Sequence, residues 1–327
     1  MVDYVDLTCW NDGRMCPVLT LRAIKSRKLG VGMSLFIQSM VNGLNQGAIY
    51  ALIALGYTMV YGIIRMINFA HGDFIMVGSY TLFYTIPLMI RAGMPAWLAV
   101  LFAVVVCTVV GISVEVIAYR PVRKAGSLTA LITALAMSLF LENMAMVLFG
   151  PNPRSVTAIF KLPSLDFIGV KLQLKYLITL AIGIVMMISL NLFVKFTKLG
   201  KAMRAVPQDK QAATLMGIKV NNIITVTFGI GSALAAVAAL LYCSTYPRVT
   251  MDMGSMMGLK AFIAAVLGGI GSLPGAMVGG LLVGLIEIFV KVYVAPGWYE
   301  AITYSLLIIV LIVKPSGILG KNIGEKV

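Results

Sequence analysis

GAIYALIALGYTMVYGIIRMINFAHGDFIMVGSY, residues 47–80, sets two apolar runs on either side of the octet Ile67–Phe74. The first run extends back to about residue 36 and carries no charged side chain up to 62. That exceeds the roughly 20 residues an α-helix needs to cross the hydrocarbon of a bilayer. The pattern recurs along the chain. Apolar spans fall at about 36–62, 71–90, 95–118, 128–149, 173–194, 221–245, 256–272, 275–293 and 299–313. They do not alternate with period two and are too long for tilted barrel strands, so the spans are helices. Composition agrees: 60% of the 327 residues are hydrophobic and 12% are charged, too few to give a soluble domain of this size a polar surface. The expected fold is an all-α polytopic membrane protein, a bundle of about eight or nine transmembrane helices with room for broken or re-entrant segments.

The net charge of +14 has an orientational reading. Basic residues in short loops fix the cytoplasmic side of a membrane protein, which makes nucleic acid an unneeded partner. Three clusters mark that side: Arg120, Arg123 and Lys124; the stretch from Lys195 to Lys219; and the tail with Lys314, Lys321 and Lys326. Each pair of clusters encloses an even number of spans if 256–272, "MMGLKAFIAAVLGGIGS", crosses fully. A re-entrant dip there would strand Lys314 and Lys321 outside, so a crossing is favoured, an irregular one included. Counting back from Arg120, span one begins outside, and Arg65 after it agrees. The basic cluster at 22–28 does not agree, and a broken first or second span with the N-terminus inside stays open.

Residues 1–32 stand apart as a polar, aperiodic extension without the apolar core of a signal peptide, either disordered or upstream of the native start at Met33. The expected division is therefore extension 1–32, transmembrane domain 33–320 and cytoplasmic tail 321–327. Cys9, Cys16, Cys107 and Cys243 have no metal-binding spacing; the last two read as small packing residues. Glycine pairs four apart, Gly43/Gly47, Gly275/Gly279 and Gly280/Gly284, predict closely packed helices.

Ionisable groups inside a span cost about 2.5–3.5 kcal/mol on insertion scales, so each needs a partner or a task. Glu115 is expected to snorkel or to pair with Arg120 or Arg123. Glu287 and Lys291, at i and i+4, suit a local ion pair. Glu142, beside Asn143, has no local partner and must face other helices or water. Asn42, Asn45 and Gln46 open span one, and their amides either bond across helices or line a polar passage. In the octet, one histidine and one nearby carboxylate are too few for a metal site and lack a nucleophile for catalysis. Asn68 is expected to cap a helix, Gly72 to allow close approach, and Asp73 to sit at a helix N-terminus. The octet is then a turn at the cytoplasmic boundary or the unwound middle of a broken helix, the latter placing Asn68 and His71 beside a passage.

Between spans five and six lies "KFTKLGKAMRAVPQDKQAATLMGIKVNN" (195–222). After Pro207 the residues favour a short amphipathic helix that stops at Gly217, flanked by Gly200 and Pro207, which could set its angle. Gln211-Ala212-Ala213, three residues, then Gly217 resembles the "EAA, three residues, glycine" signature of ABC-importer permeases, with Gln in place of Glu. With residues 47–80, "AYRPVR" (118–123), "GLKAFIAAVLGGIGSLPGAMVGGLLVG" (258–284) and "PSGIL" (315–319), the chain resembles the permeases of bacterial branched-chain amino-acid ABC importers, H-type subunit, over about 33–320.

The resemblance implies a multi-pass protein of the bacterial plasma (inner) membrane that pairs with a second, different permease subunit. It implies two cytoplasmic ATPase subunits, a periplasmic or lipid-anchored solute-binding protein, and leucine, isoleucine or valine as cargo. It makes 195–220 a coupling loop, with Arg204, Gln211, Ala212, Ala213 and Gly217 meeting the ATPase. The chain has no GxxxxGK[ST] phosphate loop, so ATP must act through another polypeptide; no cofactor and no catalytic residue are expected. Asn42, Asn45, Gln46, Asn68, His71 and Glu142 are the passage candidates. Alternatives are a permease of the same group for urea or short amides, and an ion-coupled secondary transporter, which would need midplane carboxylates in repeated halves.

Overall fold

The computed structural model describes residues 17–64, 66, 68–123, 125–157, 164–167, 170–314 and 316–320. Helix α1 (Pro17–Ile64) is followed by an extended Asn68, a 3-10 turn Phe69–His71 and α2 (Asp73–Arg91). Helix α3 (Leu98–Val114) ends in a π-turn, Glu115–Tyr119, then the short α4 (Arg120–Val122). Next come α5 (Ser127–Phe149), strands β1 (Arg154–Ser155), β2 (Ser164–Phe167) and β3 (Val170–Gln173), and α6 (Leu174–Phe196). The loop helices α7 (Lys198–Ala205) and α8 (Lys210–Leu215) lead into α9 (Val220–Thr245), β4 (Arg248–Val249), α10 (Met253–Gly268), α11 (Leu273–Phe289) with its π-turn Val290–Val294, and α12 (Tyr299–Val313). The nine expected spans are all helical. Seven are long and apolar enough to cross a membrane; α10 and α12 are shorter. At 16 residues α10 is about 24 Å long, against a hydrocarbon core of about 30 Å. Arg65, Lys124, Lys321 and Lys326, with Cys9 and Cys16, lie outside the described residues, and α1 takes in residues 17–32.

Chain contacts fix which helix ends share a face. Strand β1 pairs antiparallel with β4, so α5 and α9 finish together. At the opposite face, the N–H groups of Ile318 and Leu319 donate to the carbonyls of Leu267 and Gly268 at 2.8 and 3.0 Å. The chain after α12 thereby caps the end of α10, which Gly269 closes at φ 108°. Arg120 and Arg123 reach the start of α9 on this same face, where the 195–219 loop also lies. The described members of the three basic clusters, Arg120 and Arg123, the 195–219 loop and Lys314, thus share one side, the cytoplasmic one by the positive-inside rule.

Helices α1 and α9 form the centre of the bundle, with most of each span buried, whereas α3, α5 and α6 are largely exposed. Apolar burial gives little drive between helices in lipid, so close packing and interhelical hydrogen bonds hold such bundles. The glycine pairs provide it. Gly280 and Gly284 of α11 lie on α1 at Ala51 and Gly47, and a Cβ on Gly47 would fall 2.7 Å from the Leu281 backbone. Gly275 and Gly279, one position round the same helix, lie on Gly268 and Ala264 of α10. One glycine-rich helix is the spacer between two neighbours.

Candidate functional site

The cytoplasmic loop is built by local caps. Thr197 accepts from the Gly200 N–H at 3.0 Å and starts α7, where Met203 turns inward and Lys198, Lys201 and Arg204 outward. Arg204 also donates to the Lys195 carbonyl at 3.0 Å, a cation on the last carbonyls of α6. The Asp209 carboxylate accepts from the N–H groups of Gln211 and Ala212 at 2.8 and 3.0 Å, which fixes the start of α8. Gly217, at φ 82°, ends it, with its own N–H on Thr214 and that of Ile218 on Ala213. Of the five expected contact positions, Gln211, Ala212, Gly217 and Arg204 are exposed, while Ala213 is buried inward as the anchor of α8. Sequence reasoning missed Leu215 and Met216. They stand 88% and 83% exposed at the C-terminal end of α8, two large apolar groups held out from a basic loop.

The start of α9 follows α8 after four residues and carries a polar knot. The Glu115 carboxylate, fully buried at the π-turn, pairs with Arg123 and lies 3.6 Å from Arg120. It also accepts from the Thr225 hydroxyl at 2.7 Å, and Arg123 donates to the Asn221 amide oxygen at 3.0 Å. Both expected arginine partners are therefore used. Burial pulls the Arg123 guanidinium below its ordinary range, and the neighbouring Glu115 charge opposes that fall.

The described residues of the octet, 68–74, form the unwound entry to a broken helix, buried in protein, rather than a surface turn. Asn68, His71 and Asp73 are essentially inaccessible. The imidazole of His71 is wedged between Gly56 of α1 and Gly231 near the midpoint of α9, and meets Tyr57 edge-on at 4.9 Å. Gly72 and Gly254 leave no room for a side chain where α2 crosses α10. Asp73 begins α2, as expected from the helix dipole. Asn68 corrects the expectation of a cap. Its side chain makes no cap bond; instead its amide oxygen accepts from the Tyr119 hydroxyl at 2.6 Å.

The passage candidates do not form one cluster. Asn42 is half-buried. Asn45 donates to Thr245 at the far end of α9 at 3.2 Å, and Gln46 adjoins the Tyr50 hydroxyl. Asn68 and His71 sit at the break, and Glu142 of α5 accepts from Ser255 on α10. Asp73 and Glu142 nevertheless both border the start of α10, Asp73 against Gly254 and Glu142 on Ser255. A second buried group was only half legible. The Glu287 carboxylate receives Lys291 at 2.5 Å, as its spacing predicts, but also Lys260 at 3.0 Å and the Tyr50 hydroxyl at 2.6 Å.

Residues 39–311, which include α8, match the family described as "Branched-chain amino acid transport system / permease component". The chain belongs to this family. This permease is 41% identical over 301 residues to the high-affinity branched-chain amino acid transport system permease protein LivH of Escherichia coli K12, covering 89% of the chain and 98% of that relative. It is 42% identical, over the same shares, to the corresponding protein BraD of Pseudomonas aeruginosa. Among solved structures, PsaBC from Streptococcus pneumoniae is similar at 17% identity over 87% of this permease and 92% of that chain, with TM-score 0.40.

Proposed function

We propose that this permease carries leucine, isoleucine or valine across the bacterial plasma membrane as one half of an ABC-importer pore. A second, different permease subunit forms the other half. Two cytoplasmic ATPases drive the pair, and an external solute-binding protein delivers the cargo. The observation that carries this reading is the 41–42% identity, over 89% of this chain and 98% of each relative, to permeases named for branched-chain amino-acid transport. The geometry supports the drive mechanism: α8 is capped at both ends, anchored by Ala213 and offers Leu215 and Met216 to an apolar cleft on a partner. Arg204, Gln211, Ala212 and Gly217 surround that contact. Closure of the ATPases would shift α8 and tilt α9, a rigid-body change between two states biased by a ligand on another subunit.

The chain's own part is conductive, with no chemical step. The passage candidates Asn42, Asn45, Gln46, Asn68, His71 and Glu142, spread over the bundle rather than gathered at one site, would offer amide, imidazole and carboxyl groups to a zwitterion with a branched apolar tail. Uptake of labelled leucine by cells expressing the complete operon tests this. Strong competition by isoleucine and valine, and none by urea or short amides, is the expected result. The reverse ranking moves the permease to the amide branch.

A further inference from the structure

We propose that Tyr119 is a positioning residue that links the ATPase contact to the broken helix, through one continuous set of side chains. The proposal rests on the coupling role of α8 given above and extends it inward. Three junctions make the route. Only four residues separate α8 from α9, and Gly217 closes them in a backbone-bonded turn, so movement of α8 is delivered to the first turns of α9. There Asn221 and Thr225 hold Arg123 and Glu115, at 3.0 and 2.7 Å. Glu115 opens the π-turn that Tyr119 closes.

The last junction decides the inference. Tyr119, 1% exposed, donates its hydroxyl to the Asn68 amide oxygen at 2.6 Å. Its ring lies 5.3 Å from that of Phe228, also on α9. One side chain is thus braced by α9 and bonded to the extended residue that starts the broken segment. Asn68 is held at φ −105°, ψ 90°, and three residues later His71 fills the gap between Gly56 and Gly231. A tilt of α9 that moves Tyr119 therefore pulls on Asn68 and on the orientation of the His71 wedge. A π-turn, one residue wider than the α-helical ladder, is a frequent feature at functional positions, and Tyr119 is the last residue of this one. Tyr57 and Asp73 also lie near Tyr119, with the Tyr57 hydroxyl on the Phe69 carbonyl at 3.4 Å, and among the described residues no other donor bonds the Asn68 amide oxygen.

The test uses the complete transporter, both permeases with their ATPases, in proteoliposomes with the solute-binding protein, reading leucine uptake and ATP hydrolysis together. Tyr119→Phe keeps the ring against Phe228 and removes only the hydroxyl. Hydrolysis within twofold of the parent with uptake per ATP reduced by about fivefold or more, the low end of coupling between sites, is the expected result. Thr225→Val, which severs the preceding junction, is expected to give the same signature more weakly. In a double-mutant cycle, Tyr119→Phe with Asn68→Leu should be no worse than the worse single change. Unchanged uptake per ATP, a fall of uptake and hydrolysis in proportion, or multiplicative effects in the cycle each overturn the link. Ala212→Asp is run in parallel: normal uptake there removes the α8 coupling itself, whatever Tyr119→Phe does.

Discussion

Lys260 and Glu287 meet at 3.0 Å inside the bundle, on different helices and 27 positions apart. Lys291 shares the same carboxylate oxygen, and both ammonium groups lie over the Tyr299 ring, at 4.8 and 4.0 Å from its centroid. One carboxylate thus serves two cations, with aromatic faces helping the second. The consequence is unequal sensitivity. Glu287→Gln leaves the buried Lys260 and the half-buried Lys291 without a counter-charge and is expected to destabilise the protein by about 3–5 kcal/mol. Lys260→Met leaves the Glu287–Lys291 pair intact and should cost clearly less. Thermal or SDS unfolding in detergent gives the order; equal losses would break this account of the group.

The α1–α11 contact makes a steric prediction. A side chain at Gly47 meets the Leu281 backbone, which cannot rotate away. Gly47→Val is expected to cost about 1–3 kcal/mol and lower the amount of folded permease in the membrane. Gly297→Val, in open space, should be neutral. Fluorescence-detected size-exclusion chromatography separates the two.

The His71 wedge predicts a compensating pair. A methyl group at Gly56 collides with the imidazole, so Gly56→Ala should reduce uptake and stability together. Replacing the ring with a smaller group, His71→Ser, opens that space. The double variant is expected to be more stable than Gly56→Ala alone, a coupling of about 0.5–3 kcal/mol between touching residues. Additive losses would show that the ring and the glycine do not compete for the same volume.

Asp209 predicts a local effect on the cytoplasmic side. Asp209→Ala removes the acceptor for two N–H groups at the start of α8 and is expected to cost about 1 kcal/mol of helix stability. Asp209→Asn or Asp209→Ser should retain most of it. Uptake by cells expressing each variant ranks them, and an Asp209→Ala strain indistinguishable from the parent would mean α8 does not need its cap.

The helices were legible because twenty apolar residues leave few alternatives, and the spans at 128–149 and 299–313 agree with the observed ends to within a residue. The basic loops gave the cytoplasmic face through parity alone. Helix α8 was legible from its stop at Gly217, although its start was set by the Asp209 carboxylate, which the pattern did not single out. What the sequence withheld are contacts between distant helices. Nothing local in "MMGLKAFIAAVLGGIGS" tells Lys260 that its partner is Glu287. Asn68 looked like a cap because asparagine before a helix usually is one. Tyr119, 51 positions away, claims that oxygen instead. The same limit left the octet suspended between a surface turn and a buried break, since only packing against Gly56, Gly231 and Gly254 decides.

Energy entry is the point at which the most direct measurement falls: leucine accumulation in sealed proteoliposomes, with the permease pair alone and then with the ATPases, ATP and the solute-binding protein. Concentrative uptake is expected only in the second case, and its loss on Ala212→Asp. Accumulation by the permeases alone under a proton or sodium gradient would contradict it and assign the permease to ion-coupled transport.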